Sequence, residues 1–171
     1  MRTQVTRSAA VVAAALLSAA ALTQPAQADV RTFTDKGGHL TTVRVRHGAE
    51  NVRVKAQVGE TRPGSFITFW LDTDADNPGP EYKTKVFPGS DGISVRRVEE
   101  FGDAGTTVDC NGFEASGDVF GPPDVTIVVP RSCIGTPSEV RVSIRAYYDV
   151  KGPNVIDWGP GTKKFFGWVA R

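Results

Sequence analysis

The chain has 171 residues, 23% charged and 40% hydrophobic, and its 20 basic side chains nearly balance 19 acidic ones. So even a balance sets up no overall field toward nucleic acid or anionic lipid, which excludes both as electrostatically recruited partners. At this length one domain with a true hydrophobic core is expected.

Arg2 and Arg7 precede an Ala, Val and Leu run from Ala9 to Leu22, followed by Thr23, Gln24, Pro25 and Ala26-Gln27-Ala28. Basic, apolar and small-residue regions in that order are what a signal peptidase reads, so residues 1–28 are expected to be an export signal cleaved after Ala28. A spanning helix would need about 20 apolar residues, more than this Ala-rich run supplies. An uncleaved anchor, the competing reading, would tether the same domain outside the cell. No later run reaches spanning length, and no lipobox cysteine precedes residue 29. The expected product is residues 29–171, a single secreted, extracellular, monomeric domain free of the membrane. Removing the signal leaves 18 basic and 19 acidic side chains and no methionine.

Beyond the signal, periodicity of two dominates. Val43 and Val45 alternate with Arg44 and Arg46, then Val52, Val54, Ala56 and Val58 alternate with Arg53, Lys55 and Gln57. This pattern predicts a hairpin with one buried and one cationic face. Phe66 to Leu71 is apolar on both parities and suits a central strand, with Trp70 in the core or on its inner face. Shorter strands are expected at Tyr82–Phe87 and Ile93–Val98, separated by the turn signal Pro88-Gly89-Ser90-Asp91-Gly92. The stretch Val95 to Phe101 also suits a turn or two of helix. Phe113–Phe120, Val125–Val129 and Val140–Tyr148 complete the set, and Pro130 to Gly135 reads as one helical turn stopped by Gly135. About eight short strands with little helix predict an all-β, antiparallel β-sandwich.

Cys110 and Cys133 both fall in the mature part, where an oxidising compartment favours one intramolecular disulfide. A nucleophilic or metal-binding thiol pair is the competing reading, but the spacing is long and no histidine lies near either residue.

The densest polar cluster is Asp72-Thr73-Asp74-Ala75-Asp76-Asn77-Pro78-Gly79-Pro80-Glu81. Carboxylates at alternate positions on a tight loop suit Ca²⁺, so Asp72, Asp74, Asp76 and Glu81 are candidate ligands. An EF-hand is excluded, because its glycine position holds Asn77 and its bidentate glutamate position holds Lys83. The other reading is a solvated turn whose Asp and Asn side chains satisfy local amides. Aromatics concentrate in the last quarter, around Asp157-Trp158-Gly159-Pro160-Gly161. A loop-borne Trp suits stacking on a pyranose ring, making Trp158, Asp157 and Tyr148 candidate ligand-binding residues, while Trp168 is expected to pack. The row Arg44, Arg46, Arg53 and Lys55 could meet a polyanion, or serve only solubility and edge protection. His39 and His47 sit in no recognised catalytic motif, and no nucleophile elbow, zinc helix or phosphate loop is present.

Leu71-Asp72-Thr73-Asp74, Gly79-Pro80-Glu81-Tyr82, Gly89-Ser90-Asp91, Val129 to Gly135, Val140-Arg141-Val142-Ser143 and Asp157-Trp158, in this order, resemble a group of small secreted bacterial β-sandwich proteins of unassigned function. The resemblance covers nearly all of the mature chain and implies no chemistry. More remotely, a strand ending in an Asp-x-Asp loop followed by Gly-x-Glu-Tyr resembles the sugar- and haem-binding sandwich modules of extracellular enzymes. That likeness implies a jelly-roll-like sandwich and carries over no binding residue; the methionine and histidine pair of a haem-binding version is missing.

The expectation is a secreted, non-enzymatic binding module for extracellular carbohydrate or cell-wall polymer, with Ca²⁺ as its one candidate cofactor. An alternative of another class is a secreted protein-interaction or inhibitor-like domain. A third is a small hydrolase using Asp72 and Glu81.

Overall fold

Alternation of apolar and polar residues governs this structure almost throughout. The computed structural model describes residues 28–59, 63–89, 93–117, 124–148 and 154–171. The expected export signal lies outside them but for Ala28, as do Ser90 to Gly92 of the expected turn and Asp118, Val119 and Phe120 of an expected strand.

Twelve strands are described: β1 (Asp29–Thr34), β2 (Thr42–His47), β3 (Asn51–Gln57), β4 (Phe66–Asp72), β5 (Tyr82–Val86), β6 (Arg96–Arg97), β7 (Thr106–Thr107), β8 (Glu114–Gly117), β9 (Asp124–Pro130), β10 (Glu139–Tyr148), β11 (Val155–Gly159) and β12 (Val169–Ala170). They form two antiparallel sheets, β1-β2-β3-β9-β8 and β11-β10-β4-β5-β6-β7, with β12 pairing on β10. The all-β sandwich is therefore as expected, but with twelve strands instead of about eight. The extra ones are β1, β7, β11 and β12. β7 and β12 are two residues long, too short to show a period, and β1 lacks a clean alternation. Ile93–Val98 shrinks to β6, since only Arg96 and Arg97 are ladder partners of β5 and β7.

The core lies between the sheets. From the first come Val43, Val45, Val52, Val54, Ala56, Ile127 and Val129, and from the second Ile67, Phe69, Leu71, Val140, Val142, Ile144 and Ala146, each at most 1% exposed. Register holds them in layers, as in Val45–Val54–Ile127 across β2, β3 and β9. Each Val, Ile, Leu or Phe among them contributes about 1.5–3 kcal/mol by leaving water, set against the ordering of its backbone. The alternate residues Arg44, Arg46, Arg53 and Lys55 face solvent as expected.

The helical turn is present as Arg131–Ile134, and Gly135 ends it at φ 78°, a conformation in which a side chain would be strained. Cys110 and Cys133 form the expected disulfide, with Cα atoms 5.4 Å apart. It ties this turn to the segment before β8, and closing a 23-residue separation adds about 3 kcal/mol on the chain-entropy model. Arg131 turns inward: its Nε donates to His47 Nε2 at 3.1 Å and its Nη1 to the Ala49 carbonyl at 2.9 Å. Its Nη2 donates to the carbonyls of Thr136 and Pro137. Fully buried His47 in turn donates from Nδ1 to the Val169 carbonyl at 3.1 Å, which fixes it as the neutral Nδ1–H tautomer. Among the described residues no helix is long and apolar enough to cross a membrane.

Candidate binding face

Antiparallel register sets every second residue of neighbouring strands side by side, so the outer face of the second sheet reads as rows of side chains. One row is Ile156–Tyr147–Phe66 across β11, β10 and β4. Phe87, the residue after the Val86–Ile67 pair, extends it on the β5 side. Phe66 stacks on Tyr147 with centroids 4.6 Å apart and meets Phe87 at 5.6 Å. Ile156 and Phe87 are 56% and 41% exposed. The row is thus an apolar strip that faces solvent.

The adjacent row is Trp158–Arg145–Thr68–Lys85, and the one beyond it Ser143–Trp70–Lys83–Arg96. Lys85 Nζ lies 3.5 Å from the centre of the Phe66 ring, and the Arg145 guanidinium carbon 5.9 Å from the same ring. Arg145 also sits 5.5 Å from the rings of both Trp70 and Trp158, which stack on each other at 5.1 Å. Phe101 closes against both indoles. Burial opposes the charge on Arg145. Burial and then repulsion from Arg145 hold the Lys85 ammonium below the ordinary lysine range, and burial and then Arg96 do the same to Lys83. Beneath these cations, Arg145 Nε, Trp70 Nε1, Thr68 Oγ1 and Ser143 Oγ are buried with no hydrogen-bond partner among the described residues. Unpaired buried polar groups are rare in native proteins, so these four are a local cost of the fold, and with no exposed surface they lie out of a ligand's reach.

Of the three expected ligand-binding residues, only Trp158 belongs to this face, and it lies on strand β11 instead of a loop. Period two is the reason. Tyr148 points opposite to Tyr147, into the core, where it is 2% exposed and packs on His39 at 4.6 Å. Asp157 points opposite to Trp158, and its Oδ2 accepts the Leu40 N–H at 2.7 Å. Gly159 follows, pressed so closely on Leu40 and Phe166 that no Cβ fits. Trp70 is buried as expected but lies on the outer face, because Ile67, Phe69 and Leu71 take the inner parity. Trp168 packs as expected, with the Arg141 guanidinium carbon 4.5 Å from its ring. Phe66, Tyr147, Phe87, Lys85 and Arg145 are not among the ligand-binding candidates of the sequence, and no local signal singles them out, because Phe66 to Leu71 is apolar on both parities.

The acidic loop is organised differently from the expected cation cradle. Asp72, fully buried, accepts Arg141 Nε at 2.7 Å and Nη2 at 2.6 Å on one oxygen. Its other oxygen accepts the Asp74 N–H at 3.3 Å, and Asp74 accepts the Asp76 N–H at 3.0 Å. Glu81 accepts the Thr73 N–H at 2.7 Å and the Thr73 hydroxyl at 3.2 Å, while Asn77 donates to its second oxygen. Among the described residues no three acidic, histidine or cysteine side chains converge to hold a metal. Asp72 and Asp74 accept amides two residues on and Glu81 accepts that of Thr73, so these carboxylates act as local acceptors that shape the turn. Millimolar calcium is accordingly expected to leave the melting temperature unchanged and to give no binding heat. A calcium-dependent rise of several degrees would show that the loop rearranges around the ion.

On the opposite side of the sandwich Arg44, Arg46, Arg53 and Lys55 line an open cavity of about 420 Å³. Like charges stand directly opposed there, Arg44 to Lys55 and Arg46 to Arg53. Lys55 pairs with Asp124 at 2.7 Å. These cations are exposed and hydrated, and no aromatic side chain accompanies them among the described residues, so the outer face of the second sheet is the better-built site. No family model, curated protein or solved structure matches this chain.

Proposed function

We propose that this chain is an exported, non-enzymatic binding module for extracellular carbohydrate, and that the polymer lies along the outer face of the second sheet. The observation that carries this reading is the solvent-facing row Ile156, Tyr147, Phe66 and Phe87. Pyranose rings present apolar C–H faces that pack on an exposed aromatic and aliphatic row, while their hydroxyls need polar groups alongside, which Arg145 and Lys85 provide. The signal pattern of residues 1–28 and the disulfide support export, since disulfides persist in oxidising compartments.

Electrophoresis through gels containing soluble polysaccharides tests the reading. At least one polymer is expected to retard the protein, and Tyr147→Ala and Phe87→Ala are each expected to weaken that retardation about tenfold, the value of one good aromatic contact. Retardation that ignores both substitutions, or that no polysaccharide produces, overturns the proposal. The exposure of Ile156 and Phe87 also favours a protein-docking reading. It would take precedence if a purified secreted protein bound in a way that the same two substitutions abolish while no polysaccharide did.

A further inference from the structure

We propose that the polymer is a polyuronate, and that a ring-borne carboxylate seats against Arg145 and Lys85 above the Phe66 ring. The inference rests on the sugar-binding reading of this face and names the class of sugar.

Two cations converge on one aromatic ring here. A ring quadrupole attracts a cation but supplies no net negative charge, so the pair stays uncompensated. The nearby acids are engaged elsewhere. Asp72 holds Arg141, and Asp103 uses its carboxylate on the amides of Gly105 and Glu99 while its carbonyl accepts Lys83 Nζ. Neither Lys85 nor Arg145 has a carboxylate partner among the described residues. Two like charges partly out of water are costly unless an anion joins them.

The cations themselves give the sign of what is missing. The Lys85 ammonium and the Arg145 guanidinium, gathered at the Phe66 ring, can only donate. A partner from solution is therefore an acceptor. The guanidinium fork matches a planar carboxylate in bidentate fashion.

Geometry then selects a carboxylated sugar over a phosphate-linked chain. Neighbouring rows on one sheet face are about 6.6 Å apart along the strand. A pyranose lying over the outer edges of the Tyr147–Phe66 stack places a carboxylate attached directly to its ring over the adjacent row, where Arg145 and Lys85 stand. A phosphodiester chain would meet the cations but leave the aromatic row unused. The depressed ammonium of Lys85 agrees with this, since an anion beside it relieves the repulsion.

The test compares polygalacturonate with its fully methyl-esterified form, which has the same backbone without the charge, by calorimetry on the purified protein. The free acid is expected to bind at least roughly tenfold more tightly than the ester, and Lys85→Gln and Arg145→Gln each to cost about tenfold for the acid and under about twofold for the ester. The double variant Arg44→Gln/Arg46→Gln removes two charges from the opposite face and is expected to change acid binding less than about twofold. Equal binding of acid and ester overturns the inference while leaving carbohydrate binding standing. A loss in the Arg44/Arg46 variant as large as that in Lys85→Gln also overturns it, because attraction would then be unspecific. If Arg145→Gln fails to fold, Lys85→Gln decides alone, since Lys85 is exposed. Binding to no polysaccharide at all sinks the underlying reading as well.

Discussion

Arg141→Ala is expected to lower the unfolding free energy by about 3–5 kcal/mol at neutral pH, the cost of leaving a buried carboxylate without its counter-charge. Asp72 has no exposed surface and receives two short bonds from the guanidinium, 2.7 and 2.6 Å long. The guanidinium carbon also lies 4.9 and 4.5 Å from the rings of Phe165 and Trp168, so one side chain clips the carboxy-terminal segment to β4 and β10. Burial pushes the Asp72 carboxyl above its ordinary value, and Arg141 pulls it back. Without Arg141 the carboxyl rises further. A folded pKa above the unfolded one means that the fold binds more protons, so the deficit of the variant is full at neutral pH. It shrinks as pH falls through the folded pKa toward the unfolded one. Denaturant titration across pH 7 to 4 measures this, and Asp72→Asn/Arg141→Ala should recover about 1–3 kcal/mol of the single-variant loss. A loss below about 1 kcal/mol, or no recovery in the double variant, would show the pair to be an ordinary surface bridge.

A pH dependence of opposite sign is expected from His47. Burial is the main cause that lowers its pKa, with repulsion from Arg131 and Arg171 adding to it and the bond to the Val169 carbonyl opposing it. The unfolded chain takes up this proton near 6.5, while the folded chain resists it to lower pH. The contribution is therefore present in full above the unfolded pKa and is lost as pH falls toward the folded one, with a slope of up to about 1.4 kcal/mol per pH unit. Comparing wild type with His47→Gln isolates the effect, since glutamine offers a donor and an acceptor and does not titrate in this range. Melting curves from pH 7.5 to 5.5 should converge or cross; parallel curves would mean that His47 titrates normally. Arg131→Ala is expected to lose more than about 3 kcal/mol at any of these pH values, because it strands His47 Nε2 and three backbone carbonyls.

Both predictions rest on contacts that no local pattern announces. Arg131 and His47 are 84 residues apart, and Arg141 and Asp72 are 69 apart. Sequence reading shows His47 only as lying in no catalytic motif, and makes Asp72 a candidate calcium ligand or a local acceptor, since an acid after an apolar strand carries both associations. What it read well was alternation. The β2–β3 hairpin, the helical turn ended by Gly135 and the disulfide all follow from properties of a few adjacent residues or from compartment. What it read poorly was which parity faces inward when both are apolar. Trp70, expected in the core or on the inner face, is buried on the outer face for that reason, and of the candidates Trp158, Asp157 and Tyr148 only Trp158 has the outward parity.

The sequence by itself determined an all-β sandwich, its cationic outer row and its single disulfide, because each depends on local period or on residue type. Only the tertiary structure decided where a ligand could lie. Phe87, Phe66, Tyr147 and Ile156 come from four segments of the chain, and they become one row through strand pairing. Lys85 and Arg145 meet over one ring for the same reason. A binding face of this kind is a product of register, which long-range backbone hydrogen bonds set and which no window along the chain contains.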